Sequence, residues 1–376
     1  MAEKRVINFG AGPSALPLSV LEQATKGLLN FEGTGIGIAE ISHRSPEFKA
    51  CISRLENLIR TELDVPSTHR ILFTQGGGTA QFSAVVLNLL ARHRLLNDAS
   101  HVEATMDYVI TGNWSKKAAD EARRLRGGKV NIATDARNHA KDGKSFNNIP
   151  PHNSYTFSAN PALIYYCENE TVDGVQFAND PSSPASFPFH LLPKDAQLPL
   201  VGDHSSSFMS RTIPHLADHA VIFAGAQKNI GPAGLTILIV RQDCIIDVDA
   251  AAELGAIPVP LTLSYKNLAD NGSLYNTPSV FSIYVSALVL QRMKELGGMK
   301  YYEALSKRKA AKVYAILREG EEKGVLKGKV REGSGSWMNI VFDVPSESKF
   351  LAGAEEHGLV ALKGHRYVQQ NTVKLY

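Results

Sequence analysis

Cysteine, tryptophan, net charge and long apolar runs are all scarce in this 376-residue sequence. Its three cysteines, Cys51, Cys167 and Cys244, are odd in number and widely spaced, so they match neither a disulfide framework nor a metal site and favour a reducing compartment. Lys and Arg total 40 against 37 Asp and Glu, which gives no reason to expect nucleic acid or an anionic membrane as a partner. No segment approaches the roughly 20 apolar residues that span a bilayer. We therefore expect a cytoplasmic protein that acts on small molecules and holds no metal.

Apolar runs of strand length alternate with segments of helical period through most of the chain. Ser45 and Pro46 have the residue types of a helix cap and a first helical position, and they predict a helix to about Glu62. The pattern also predicts helices at 114–125 and 347–357, and strands at 71–74, 106–111, 163–167, 198–203, 221–224, 235–240 and 337–342. This alternation is typical of an α/β fold with a mostly parallel sheet flanked by helices.

The sequence changes character near Gly297, where charged helices replace the alternating pattern. We interpret this change as a domain boundary. It predicts a large domain at 17–297 and a smaller α+β domain made of 298–376 together with 1–16. Residues 91–105 are predicted to form an expanded surface loop, which would cost little in loop-closure entropy.

Lys228 directly follows an apolar strand-like run and directly precedes a turn rich in glycine and proline, within VIFAGAQKNIGPAG. Burial at the mouth of a strand lowers the pKa of a lysine, and a neutral amine can attack a carbonyl to form a Schiff base. Taken alone, a lysine in this setting is more often a solvated loop residue. Its neighbours at the ends of the other strands decide between the two readings.

Residues 76–79, Gly-Gly-Gly-Thr, follow one predicted strand and open a helix, so their N–H groups could bind an anion such as phosphate, although a glycine turn alone is usually structural. Asp203 ends another apolar run and is equally well read as a ligand contact or a helix cap. Trp114 could stack on a flat ring or pack in the core. Thr171 offers a hydroxyl after a further strand. Because open parallel sheets bind ligands at the carboxyl ends of their strands, these groups together with Lys228 describe a pyridoxal phosphate site.

The chain also resembles the phosphoserine aminotransferases, a class V group within the fold-type I pyridoxal phosphate enzymes. The resemblance rests on the segments NFGAGPSALP, EISHRSPEF, FTQGGGTAQFSAV, TGNWSKKAADEA, CENETVDGV, GDHSSSFMSR, AGAQKNIGPAG, LYNTPSVFSIY and GLVALKGHR. It implies that Lys228 is the Schiff-base residue and that Asp203 pairs with the pyridine nitrogen. It also implies that Trp114 stacks on the cofactor ring and that Thr171 meets its 3-oxygen.

The same resemblance implies how the cofactor phosphate is bound. Gly78, Thr79 and Gln227 would hold it from one chain, and Asn276 and Thr277 would come from the other subunit of a homodimer. The active sites would then be shared between the subunits.

Two His-Arg pairs are implied to select the substrates: His43-Arg44 and His365-Arg366. Arginine binds phosphate and carboxylate through two parallel hydrogen bonds, and histidine adds a donor that charges near neutral pH. The pairs would recognise both the phosphate of phosphoserine and the side-chain carboxylate of glutamate. The implied reaction transfers the amino group between glutamate and 3-phosphohydroxypyruvate, giving phosphoserine and 2-oxoglutarate in serine biosynthesis.

The sequence departs from the family pattern after GHR. An arginine that binds the substrate α-carboxylate, a strand and a terminal helix are expected there, but the chain reads YVQQNTVKLY, with Thr372 at the place of the arginine. We therefore expect a small domain truncated from Tyr367 onward and weakened binding of substrate. Another class V enzyme, such as an alanine–glyoxylate aminotransferase or a cysteine desulfurase, is one alternative, although Gln227 stands where desulfurases carry a histidine. A cofactor-binding protein with little turnover is the other.

Overall fold

The computed structural model of the chain describes residues 5–97, 103–195, 197–364 and 372–375. Within these ranges the helices are α1 (Leu18–Leu29), α2 (Pro46–Glu62), α3 (Gly77–Leu96), α4 (Asn113–Leu125), α5 (Ala226–Asn229), α6 (Val248–Glu253), α7 (Tyr265–Asp270), α8 (Val280–Glu295), α9 (Gly298–Glu322) and α10 (Glu347–Glu356). The strands are β1 (Ile7–Asn8), β2 (His69–Thr74), β3 (Thr105–Ile110), β4 (Lys129–Asp135), β5 (Leu163–Cys167), β6 (Asn169–Glu170), β7 (Val175–Gln176), β8 (Leu200–Asp203), β9 (His219–Gly225), β10 (Thr236–Arg241), β11 (Lys327–Gly328), β12 (Ile340–Asp343), β13 (Leu359–Val360) and β14 (Thr372–Leu375).

A seven-stranded sheet in the order β2-β10-β9-β8-β5-β3-β4 forms the centre of the molecule. Strands β9, β8, β5, β3 and β4 run parallel to one another, and β10 is antiparallel to both of its neighbours. Every residue of β5, β8, β9 and β10 is buried, which is why these segments read as continuous apolar runs. The predicted fold class is confirmed.

Helices cover both faces of this sheet because its side chains alternate between the faces. Ile237 and Ile239 of β10 pack on one face with residues of α1, α2 and α8, such as Ile59. Leu238 and Val240 pack on the other face with residues of α3 and α4. No helix within the described ranges is long and apolar enough to span a membrane.

The start of α2 agrees with the sequence analysis. Ser45 precedes the helix, its Oγ accepts a hydrogen bond from the N–H of Phe48 at 3.2 Å, and Pro46 occupies the first helical position. The helix ends at Glu62, so the predicted element is confirmed.

The loop predicted at 91–105 is wrong for its first six residues, which continue α3 to Leu96. Ala91 is fully buried there. Arg92 is buried as well and forms an ion pair with Oδ2 of Asp243 at 2.5 Å. Because Asp243 is distant in sequence, the polar residues of this segment have no visible partner in the sequence, and the segment resembles a surface loop. Residues 98–102 of the predicted loop lie outside the described residues.

Strands β11, β12 and β14 form a separate sheet, with β12 in the middle. The final strand that the sequence was expected to lack is present, because residues 372–375 pair antiparallel with β12. Val373 packs in a core with Ile340 and Phe342, so burial of this apolar side chain holds β14 against β12. Strand β1 pairs in parallel with β13, which joins the N-terminal segment to this part of the chain. The predicted domain boundary itself stays a prediction.

Candidate active site

A cavity of about 380 Å³ lies at the carboxyl ends of the parallel strands β5, β8 and β9. This volume is within the range of small-molecule sites, about 300 to 1,000 Å³. Seven of the residues predicted from the sequence line it: Gly78, Thr79, Trp114, Thr171, Asp203, Gln227 and Lys228. The N-terminal segment and β14 close it from the other side, through Gly12 and Lys374.

Lys228 lies on α5, the single helical turn that follows β9. Its backbone carbonyl accepts a hydrogen bond from Ser14 Oγ at 2.5 Å. The backbone of Gly12 passes close to its side chain, and a Cβ placed on this residue would be 2.6 Å from Cδ of Lys228. Burial lowers the pKa of Lys228, and the nearby carboxylate of Asp203 opposes this shift. The amine is therefore more nucleophilic at neutral pH than an exposed lysine.

Asp203 ends β8 and is buried. Its Oδ1 accepts a hydrogen bond from the N–H of Ser205 at 2.9 Å, and its Oδ2 accepts one from the hydroxyl of Tyr165 at 3.2 Å. Burial raises the pKa of Asp203, while these hydrogen bonds and the charge of Lys228 oppose the shift. It has no ion pair within the described part of the chain, so a cationic ligand atom would stabilise its charged form.

The glycine turn forms an anion site at the start of the 20-residue helix α3. Gly76 and Gly77 have φ values of +92° and +62°, which favour glycine, and they turn the chain from β2 into the helix. The N–H of Gly77 donates to Oγ1 of Thr236 at 2.9 Å. The following N–H groups, those of Gly78 and Thr79, belong to the first helical turn, where no carbonyl of the helix accepts them. They and the helix dipole favour a bound phosphate.

Trp114 is held by a carboxylate that the sequence analysis missed. Its backbone N–H donates to Oε2 of Glu170 at 2.8 Å, and the N–H of Ser115 donates to Oε1 at 2.9 Å, so this buried side chain caps α4. Asp173 similarly accepts hydrogen bonds from both nitrogens of Asn113 at 2.8 Å. Burial raises the pKa of both acids. The signal available in the sequence was the run of three acids in ENETVDG, directly after a buried strand.

Thr171 lies between these two acids and is buried at the cavity wall. Asn169 fixes this loop, because its Nδ2 donates to Ser206 Oγ at 2.7 Å and to Asn339 Oδ1 at 2.8 Å. Its Oδ1 accepts a hydrogen bond from Ser336 Oγ at 2.6 Å. The cavity wall is therefore joined to the segment that leads into β12.

Of the remaining predicted residues, the four that the structure describes do not line the cavity of their own chain. Asn276 and Thr277 are exposed, and the carbonyl of Thr277 accepts a hydrogen bond from Gln75 Nε2 at 3.1 Å, beside the glycine turn. His43 is buried, and burial and the charge of Arg44 lower its pKa, whereas Arg44 is exposed. The second pair, 365–366, lies outside the described residues.

Lys374 is a cation of the cavity that the sequence analysis did not predict. It lies on β14, is 5% exposed, and lines the cavity together with Lys228. Burial lowers the pKa of Lys374 to about 7; the charge of Lys228 adds to this shift, and Asp173 opposes it. The signal in the sequence was the two-residue period of a strand, which places residue 374 on the same face as Thr372.

A larger cavity of about 820 Å³ is lined by residues such as Phe187, His190 and Leu192. Among its described lining residues, Arg211 is engaged in an ion pair with Glu168, and Lys194 lies in the loop before β8. Neither cation directly follows a strand of the central sheet as Lys228 does, so we assign the chemistry to the smaller cavity.

Comparison with known proteins shows the family of the chain. Residues 6–375 match the family model described as aminotransferase class-V. The chain is 39% identical to the phosphoserine aminotransferase of Ectopseudomonas mendocina strain ymp, over 99% of this chain and 93% of the relative. A phosphoserine aminotransferase structure from Trichomonas vaginalis with bound pyridoxal phosphate has a TM-score of 0.82 at 32% identity, covering 99% of this chain and 95% of that chain. The structure from Bacillus circulans subsp. alkalophilus has a TM-score of 0.83 at 32% identity, covering 99% and 93%.

The chain therefore belongs to the class-V aminotransferases, in the family of the phosphoserine aminotransferases. The residues of the cavity fit the cofactor that this family implies. A helix N-terminus suits a phosphate, a buried carboxylate suits a ring cation, and a lysine of lowered pKa suits an aldehyde.

Proposed function

We propose that this chain is a pyridoxal phosphate-dependent transaminase of the cytoplasm. It moves the amino group between glutamate and 3-phosphohydroxypyruvate, giving O-phosphoserine and 2-oxoglutarate in serine biosynthesis. The observation that carries the proposal is the placement of Lys228 and Asp203 in one cavity beside the N-terminus of α3. The names of the relatives support the choice of substrates, and the three free, buried cysteines fit a reducing compartment.

The phosphate of the cofactor would be bound by the N–H groups of Gly78 and Thr79, with Gln227 at the same end of the cavity. Asp203 would accept a hydrogen bond from the protonated ring nitrogen and so hold its proton in place. When bound, pyridoxal phosphate supplies an electrophilic aldehyde and an electron-withdrawing ring that stabilises negative charge on the substrate α-carbon.

Two further side chains would orient the ring. Trp114 would lie against its face, with its backbone fixed by Glu170, and Thr171 would donate its hydroxyl to the 3-oxygen. Both side chains belong to well-packed segments, so they hold one orientation without reorganising for each substrate.

Lys228 performs the proton transfers. Burial lowers its pKa and so raises the neutral fraction of the amine, which allows Nζ to accept the proton that leaves the substrate α-carbon as a general base. The same nitrogen, now protonated, delivers this proton as a general acid to the carbon that receives it. The keto acid reverses these transfers in the second half of the reaction.

We further infer that the active unit is a homodimer. Asn276 and Thr277 are exposed and lie outside the cavity of their own chain, so a role in phosphate binding requires them to reach the partner's cavity. The same reasoning applies to Arg44, which is exposed and does not line the cavity of the chain that carries it.

The test is the rate of 2-oxoglutarate formation from glutamate and 3-phosphohydroxypyruvate by the cofactor-loaded protein. We expect this rate to exceed those of alanine with glyoxylate and of sulfide release from cysteine by at least about tenfold, and to vanish in Lys228→Ala. Turnover that survives in Lys228→Ala, or a preference for either other reaction, would contradict the proposal. Full cofactor occupancy with no turnover would select the cofactor-binding protein instead.

A further inference from the structure

Two cations, Lys228 and Lys374, are present among the described residues that line the active-site cavity. Lys228 is needed for the cofactor and the proton transfers. The substrates nevertheless carry at least two anionic groups each, because both the amino acids and the keto acids have an α-carboxylate and a distal phosphate or carboxylate. Lys374 is therefore the cation of the described cavity that remains for a substrate anion.

The strand geometry explains why Lys374 points its charge towards the site. Residues 372 and 374 share one face of β14, while Val373 faces the small core behind the sheet. Thr372 is already engaged, because its Oγ1 donates to Oδ1 of Asp343 at 2.7 Å and accepts a hydrogen bond from Lys329 Nζ at 3.1 Å. The residue that takes the place of the expected arginine therefore cannot bind substrate, but the lysine two positions further can.

The amine of Lys374 has no hydrogen bond or ion pair with any residue that the structure describes. The carboxylate whose charge acts on it is that of Asp173, and each oxygen of Asp173 accepts a hydrogen bond from Asn113 rather than from Lys374. A buried cation without a partner is costly, so an anionic ligand would stabilise the charged form of Lys374.

We propose that Lys374 binds the α-carboxylate of both the amino-acid and the keto-acid substrates, in place of the arginine that this chain lacks at position 372. The proposal rests on the transaminase function proposed above. The proximity of Lys374 and Lys228, whose charges repel, selects the α-carboxylate. This group is bonded to the carbon where Lys228 transfers its proton, whereas the distal anion is several bonds further away.

A bound carboxylate would also stabilise the protonated, positively charged form of Lys374. Burial and Lys228 make its proton easy to lose in the free chain, and a carboxylate at hydrogen-bond distance favours the protonated form. A lysine provides a point charge rather than a planar pair of donors, so it should orient the carboxylate less strictly than an arginine.

The experiment measures the Kd of 2-oxoglutarate for the cofactor-loaded protein by calorimetry, in wild type, Lys374→Met and Lys374→Arg. Lys329→Met is the matched control, because this lysine directly follows β11 of the same sheet but is paired with Asp343 outside the cavity lining. Loss of one charged hydrogen bond should weaken binding about 10- to 150-fold in Lys374→Met. Lys374→Arg should stay within about threefold of wild type, and Lys329→Met should not change Kd.

A second measurement separates binding from a structural role. The KM values of glutamate and of phosphoserine should both rise in Lys374→Met, since both substrates carry the α-carboxylate that Lys374 is proposed to bind. The cofactor absorbance and the Tm should stay close to wild type. If wild type binds 2-oxoglutarate and Lys374→Met binds it equally well, or if Lys374→Arg fails to restore binding, the assignment of Lys374 is overturned. If wild type itself neither binds 2-oxoglutarate nor transaminates, the proposed transaminase function is wrong, and the assignment of Lys374 is overturned with it.

Discussion

Replacing Gly12 by alanine should misplace Lys228 without unfolding the protein. A Cβ at this position would be 2.6 Å from Cδ and 3.2 Å from Nζ of Lys228. Carbon atoms prefer a separation of about 3.5 to 4.0 Å, so the lysine or the N-terminal segment must move by about 1 Å. A displacement of this size at a reacting group costs about 100-fold in rate.

The backbone contributes a separate cost, because Gly12 has a φ of +138°, which is unfavourable for alanine. Gly33→Ala is the matched control: its φ is +82°, and a Cβ there meets no atom within 4 Å. Both variants should lose about 1 to 3 kcal/mol of unfolding free energy through backbone strain. Only Gly12→Ala should also lose about 100-fold in kcat.

The assay combines initial rates of transamination with urea unfolding of the cofactor-loaded protein. The contact between Gly12 and Lys228 is the whole basis of the expected difference between the two variants. If kcat of Gly12→Ala lies within about threefold of that of Gly33→Ala, the close approach of these residues does not position the amine, and the reasoning is refuted.

Three other predictions concern the cofactor, the dimer and the fold. Asp203→Asn should retain bound cofactor but lose about 10²- to 10³-fold in kcat, since a preorganised charge beside the ring is removed; an unchanged kcat would contradict its role. Mixing Lys228→Ala chains with chains that carry both Asn276→Ala and Thr277→Ala should restore activity by forming one intact site per mixed dimer, and proven subunit exchange without activity would exclude shared sites. Ser45→Ala should lower the unfolding free energy by about 1 kcal/mol through loss of the α2 cap. An unchanged unfolding free energy would show that the side chain of Ser45 does not stabilise α2.

The parts of the fold that the sequence predicts are those with local signals. The fully buried strands β5, β8, β9 and β10 appear as apolar runs, and α2 begins at a recognisable cap. Strand β4 was not predicted, because it lies at the sheet edge, is only partly buried, and reads KVNIATD. The end of α3 was missed because the partner of Arg92 is Asp243, which only the tertiary structure brings near.

The same distinction applies to the site. Asp203 and Lys228 could be predicted to meet because both follow parallel strands, and topology places such positions at one edge of the sheet. The contribution of Lys374 could not be predicted in this way, because it depends on β14 docking against β12 and on that sheet facing the cavity. The caps formed by Glu170 and Asp173 likewise depend on a loop packing against the start of α4.

The most direct test of the account is to find which lysine carries the cofactor. Borohydride reduces the bond between a lysine amine and the cofactor carbon to a stable one, so digestion and peptide mapping then locate the labelled residue. We predict that the label lies on Lys228, which shares the cavity with Asp203 and whose pKa is lowered by burial against the opposing charge of Asp203, and that it is absent from Lys374, the second buried lysine of the same cavity. Label on Lys374, on any other lysine, or on none would contradict the assignment of the active site.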